Sequence, residues 1–141
     1  MIEVGVVILT HGPSGADMLA AVGRLLGPTA IEDMVAVDAP VGATKVDIQS
    51  SLAAAVKEVD HGAGVVVCCD LHGSTPANCA VELMRMRLPL VDLAVISGVS
   101  MPMLMKLASA QRSETTPAGL AKAAVDTAIR SIRIEGAEAK R

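Results

Sequence analysis

Continuous aliphatic runs alternate with amphipathic stretches along the whole chain, and this alternation predicts the elements. Residues 4–9 (Val-Gly-Val-Val-Ile-Leu) are apolar throughout rather than at every second position, the pattern of a strand buried on both faces. Residues 14–26 carry apolar side chains at helical spacing, with Met18, Leu19, Val22, Leu25 and Leu26 on one face and Gly27-Pro28 as the stop. A short strand is expected at 34–37, and a helix at 43–59 with Val46, Leu52, Val56 and Val59 among its apolar positions. A third strand (64–69), a third helix (75–87), a fourth strand (91–96) and a helix at 101–110 follow. The polar stretch 111–116 leads into a last helix, whose first turn suits Pro117. In the tail, Ile132 and Ile134 alternate with polar residues, as in a short edge strand or a pairing arm.

Strand and helix in strict alternation call for an α/β fold: a parallel sheet with helices on both faces. In such sheets the functional groups collect beyond the carboxyl ends of the strands. With 141 residues, no linker, no internal repeat and no low-complexity tract, one domain is expected over 1–141. That length buries roughly two-thirds of the unfolded surface without disulfide or metal.

Composition narrows the function. Apolar residues make up 52% of the chain, but Phe, Tyr and Trp are absent, so the core is aliphatic. Base stacking on aromatic side chains is excluded, and a net charge of −3 argues against binding a nucleic-acid backbone. Mean hydropathy is high at +0.52, yet no uncharged apolar run reaches the 18 or so residues of a membrane span. Glu3 and the missing basic segment speak against a signal peptide, so a cytoplasmic, reducing location is expected. Three cysteines, Cys68, Cys69 and Cys79, have no metal-type spacing. Cys68 and Cys69 fall within a strand, so they point to opposite faces and read as small buried side chains.

The chemistry-bearing residues gather at three strand ends. The first strand runs into Thr10-His11-Gly12, the third into Asp70-Leu71-His72-Gly73-Ser74-Thr75-Pro76-Ala77-Asn78, and the fourth into Ser97-Gly98-Val99-Ser100-Met101-Pro102. A histidine can attack phosphorus, and a carboxylate on its other ring nitrogen fixes tautomer and orientation. Gly73-Ser74-Thr75, opening a helix, offers backbone N–H groups and hydroxyls suited to a phosphoryl group. These residues point to transient phosphorylation of His11, with Asp70 as its orienting carboxylate. His72 reads either as a second active-site imidazole or as an exposed loop residue, and His61 as a solvated one. Met101, Met103 and Met105 read as packing residues. Neither G-x-G-x-x-G nor G-x-x-x-x-G-K-[ST] occurs, so nothing in the sequence signals dinucleotide or nucleoside-triphosphate binding.

Three segments together resemble the IIA component of the mannose/fructose-type phosphotransferase system. They are Thr10-His11-Gly12 after the opening strand, Asp70-Leu71-x-Gly73-x-Thr75-Pro76-x-Asn78, and Ile96-Ser97-Gly98-Val99-x-x-Pro102-Met103-Leu104. In order and spacing they cover about the first 110 residues. The resemblance implies a three-layer sandwich around a mainly parallel four-stranded sheet of order 2-1-3-4. It also implies a homodimer, in which the tail at Ile132–Ile134 would be an edge or swapped strand. His11 would accept a phosphoryl group from phospho-HPr and pass it to a IIB component, with membrane IIC and IID components involved indirectly and the protein at most peripherally associated with them. Asp70 would orient the imidazole, and Gly73, Ser74 and Thr75 would hold the phosphoryl group, Thr75 standing where the family commonly has Ser. Thr10, His72, Met101 and Pro102 would line the docking loops. No metal or organic cofactor is implied. Two positions depart from the family's pattern: His72 replaces an aromatic residue and Ser74 a second glycine, which bears on partner choice. A regulatory phosphoacceptor without sugar transport, or a phosphoryl donor to dihydroxyacetone kinase, would use the same histidine.

Overall fold

The computed structural model describes residues 2–86 and 91–136. Four strands, β1 (Gly5–His11), β2 (Met34–Ala39), β3 (Val65–Cys69) and β4 (Leu93–Ser97), alternate with helices α1 (Ser14–Leu26), α2 (Lys45–Val59), α3 (Thr75–Met86) and α4 (Met101–Ser109). Helix α5 (Pro117–Arg130) closes the fold, and a 3-10 turn at Pro28–Ile31 precedes β2. The sheet has the order β2-β1-β3-β4 and every pairing is parallel, the arrangement implied by the resemblance. Among the described residues no helix is long and apolar enough to cross a membrane.

The aliphatic runs are continuous because the central strands are covered on both sides. Val6, Ile8 and Cys68 face one core layer with Val22, Leu104, Leu107 and Leu120, while Val7, Leu9 and Cys69 face the other with Leu52, Val56 and Ala80. The adjacent cysteines therefore do point to opposite faces. Cys68, Cys69 and Cys79 are free and buried. Burial pushes the Cys69 thiol up to about 12 and raises Cys68 and Cys79 as well. Native protein should thus resist thiol alkylation at neutral pH and react fully once unfolded; rapid native labelling of Cys68 and Cys69 would show that this core opens.

Two helix faces differ from expectation. Leu25 and Leu26 are 67% and 40% exposed, because the 3-10 turn folds back and brings Ala30 and Ile31 onto the core beside α1. The approach is close: a Cβ on Gly23 would meet Ile31 Cδ1 at 2.8 Å. On α2 the inward stripe is Ile48, Leu52, Ala55, Val56 and Val59, and Val46 lies 72% exposed in the first turn. The expected end of the third helix at residue 87 lies outside the described residues. Among the described residues of the tail, Ile132 and Ile134 belong to no strand of this sheet, and both are exposed.

The stretch 111–116 holds an unexpected feature. Arg112 is 3% exposed. Its guanidinium donates to the carbonyls of Val4 (3.1 Å), Leu107 (3.1 Å) and Glu32 (3.0 Å) and reaches the Glu3 carboxylate at 3.4 Å. Its own carbonyl accepts from Val4 N–H at 3.0 Å. One side chain thereby ties the entry to β1, the end of α4 and the approach to β2.

Candidate active site at the carboxyl rim of the sheet

Parallel register brings the ends of β1, β2 and β3 to one rim: His11 lies opposite Ala39, and Leu9 opposite Cys69. His11 is the last residue of β1 and Asp70 the first beyond β3, so adjacent strands bring the two side chains together. His11 Nδ1 lies 3.0 and 3.1 Å from the two oxygens of Asp70, and the His11 backbone N–H donates to Asp70 Oδ2 at 2.9 Å. An ionised carboxylate only accepts, so the proton is assigned to Nδ1 and the lone pair to Nε2. The imidazole is 44% exposed and the Asp70 side chain 26%.

Partial burial pushes the Asp70 carboxyl up, but hydrogen bonds from the His11 backbone and ring, together with the attraction of that ring when it is protonated, hold it below its ordinary 3.8. The carboxylate therefore contributes stability that is complete above about pH 4 and disappears as acid carries the pH down through the lowered folded value. For Asp70→Asn we expect a stability deficit at neutral pH that closes on acidification, read from denaturant unfolding at several pH values. A deficit that stayed constant with pH would show that the carboxylate's charge plays no part.

The turn after His11 is built by Thr10. This residue is buried, so it belongs to the framework and not to the docking loops where the resemblance puts it. Its hydroxyl accepts from Gly15 N–H at 2.9 Å and donates to Gly12 O at 3.1 Å. Position 15 has room only for glycine, since a Cβ there would lie 2.9 Å from both Thr10 Oγ1 and Ile8 Cγ2. That glycine near the start of a helix was the one sequence signal for the role of Thr10.

The second loop combines a left-handed residue with a helix cap. Gly73, at φ +79°, turns the chain into α3. Ser74 caps that helix: its hydroxyl accepts from Ala77 N–H at 3.4 Å and donates to Leu71 O at 2.7 Å. Ser74 is thus committed to the turn. Thr75 differs, because its side chain is exposed and neither its hydroxyl nor its N–H has a partner among the described residues. Asn78 Nδ2 donates to Gly73 O at 3.4 Å. His72 is exposed and makes no side-chain hydrogen bond among the described residues, so it stands outside the His11–Asp70 pair.

The third loop is anchored beside Asp70, since Gly98 and Val99 N–H donate to Cys69 O at 2.9 and 3.0 Å. Met101 packs against the core, and Pro102 is half-buried beside a cavity of about 370 Å³ that Ile129 and Ile132 also line. His61 is bonded rather than simply solvated: its Nε2 lies 2.9 Å from Asp33 Oδ1 at the opposite end of the sheet. Among the described residues no three His, Cys, Asp or Glu side chains come together as a metal site would need.

Comparison with solved structures finds the same fold repeatedly. The mannose/sorbose specific IIA subunit of the phosphotransferase system from Enterococcus faecalis superposes with a TM-score of 0.83 at 22% identity, covering 99% of each chain. Phosphotransferase system component EIIA from Streptococcus agalactiae gives 0.81 at 20% identity, over 94% of this chain and 96% of that one. The IIA protein associated with the fucose utilization operon of Streptococcus pneumoniae gives 0.71 at 22% identity, over 89% and 93%. A search of curated proteins finds no significant match. Among protein families, the one described as "PTS system fructose IIA component" matches residues 5–124, from the start of β1 well into α5. The chain belongs to that family of phosphotransferase-system IIA components.

Proposed function

We propose that the protein is a phosphoryl-relay component in which His11 Nε2 accepts a phosphoryl group from phospho-HPr and hands it to a IIB protein for sugar uptake. The observation that carries this reading is the grip of Asp70 on both Nδ1 and the backbone N–H of His11. It leaves Nε2 as the nitrogen with an available lone pair, on an exposed rim that a protein-bound phosphoryl group can reach.

The Nε2 lone pair attacks phosphorus, the new N–P bond forms, and the donor's N–P bond breaks with its electron pair returning to the donor imidazole. His11 keeps its Nδ1 proton, so the phosphorylated ring carries a positive charge that Asp70 offsets. Thr75, with its N–H, its hydroxyl and the amino end of α3, suits the phosphoryl oxygens. Passage to the acceptor runs the same steps in reverse. Ser74 and Gly73 shape this loop, and His72, Met101 and Pro102 lie on the loops a partner meets. The relay would work in the cytoplasm, at most peripherally associated with membrane IIC and IID components. A homodimer is consistent with the exposed Ile132 and Ile134 tail and the outer edge of β4.

The test is intact-mass analysis after incubation with phosphoenolpyruvate, enzyme I and HPr, followed by addition of a IIB protein. One acid-labile phosphoryl adduct that IIB discharges is the expected result, and no adduct under conditions that label another IIA protein would overturn the reading. Asp70→Asn should slow transfer about 10- to 100-fold, the scale of a lost hydrogen bond to a charged group. Unchanged kinetics would remove Asp70 from the mechanism.

A further inference from the structure

We propose that Val41 and Leu71 are the docking contacts through which a phosphohistidine-bearing protein with an apolar centre and a basic surround reaches His11; this rests on the phosphoacceptor reading above. In the sheet β1 lies between β2 and β3, so the loops leaving those two strands flank His11 on either side. Gly12 N–H donates to Ala39 O at 3.2 Å, fixing the β2 loop beside the His11 turn. Val41 lies two residues further on, in a turn closed by Ala43 N–H to Pro40 O at 3.0 Å, and its side chain is fully exposed. Leu71 follows Asp70 directly and is 60% exposed.

An aliphatic tip gains nothing for the fold, since Asn, Asp, Ser and Gly are the residues that turns favour for their own geometry. Isolated exposed aliphatics are ordinary, but here they bracket the one side chain that another protein has to reach. The chain has no Phe, Tyr or Trp, so aliphatic residues are what it has to anchor a partner. The β4 side of the rim offers less, because Met101 and Pro102 are half-buried.

Charge defines the partner further. Asp17 in the first turn of α1, Asp38 near the end of β2 and Asp47 in the first turn of α2 are all exposed near this rim. Lys45 is tied to Glu82 at 2.8 Å. An acidic surround repels a bare phosphoryl group, so the donor has to bring Lys or Arg beside it. Those cations would pair with the carboxylates and speed encounter.

The experiment compares wild type, the double variant Val41→Ser/Leu71→Ser and the pair Asp38→Lys/Asp47→Lys with two donors, phospho-HPr and the small molecule phosphoramidate. The double serine variant should lose about tenfold or more in kcat/KM with phospho-HPr, mainly through KM, while phosphoramidate labels it at the wild-type rate. The lysine pair should slow phospho-HPr and flatten the fall of its rate with salt. Unchanged phospho-HPr kinetics in the serine variant, with labelling by phosphoramidate intact, would overturn the docking surface and leave His11 as acceptor. Wild type that takes a phosphoryl group from neither donor would overturn the acceptor reading, and this proposal with it.

Discussion

His11→Ala should carry no phosphoryl group after incubation with phosphoenolpyruvate, enzyme I and HPr, while His72→Ala carries one as wild type does. The expected loss is complete, because His72 makes no side-chain hydrogen bond that would orient it, and His61, though exposed and held by the Asp33 carboxylate, sits at the far end of the sheet, away from the rim loops. The variant should remain folded. The imidazole is 44% exposed, and the backbone N–H at position 11 still serves Asp70 Oδ2 when the ring is gone. Far-UV circular dichroism and a melting curve alongside the mass measurement separate lost chemistry from lost structure. An adduct that survived in His11→Ala and vanished in His72→Ala would reverse the assignment.

The second large effect is on stability. Arg112→Met should cost about 3–5 kcal/mol, because the carbonyls of Val4, Leu107 and Glu32 all lose their guanidinium donor in a part of the molecule that admits little water. Against a total of about 5–15 kcal/mol this is a large fraction, and for a domain of this size the melting temperature should fall by roughly 10–20 °C. Arg112→Lys should not rescue it, since a single ammonium cannot reproduce the planar fork that reaches three separated carbonyls. Glu3→Gln should change stability by less than about 1 kcal/mol, because that carboxylate is 40% exposed and stands 3.4 Å away. An Arg112→Met protein within 1 kcal/mol of wild type would show that water or a shifted backbone replaces the guanidinium.

Much of this molecule is legible in its residues, for identifiable reasons. The runs at 4–9 and 64–69 are apolar throughout because helices cover both faces of β1 and β3, and a continuous run has few other readings. Strand order is another matter: periodicity does not encode which strands become neighbours, and the order 2-1-3-4 came through the resemblance. Leu25, Leu26 and Val46 were misplaced because a helical wheel sees only its own helix. It does not register that Ile31 folds back over α1, or that the stripe on α2 begins at Ile48. Hydroxyls were the other blind spot. Thr10 and Ser74 read as rim groups, yet each is consumed by nearby backbone, and only the three-dimensional turn reveals it. Arg112 was invisible for a similar reason, since an arginine in a polar stretch resembles any solvated one until the carbonyls around it are known.

The Arg112 clamp also has a place in time. Its bonds join position 112 to positions 4 and 32, across 108 and 80 residues of chain. Contacts so distant in sequence carry a large loop-closure entropy and form only after the intervening strands and helices have come together. The guanidinium should therefore be absent from the folding transition state and present only in the finished protein. Its free energy then falls almost entirely on the unfolding rate: Arg112→Met should refold about as fast as wild type but open hundreds of times faster or more. The proposed docking rim lies at one end of the sheet, and this bond network at the other end should set the lifetime of the folded state.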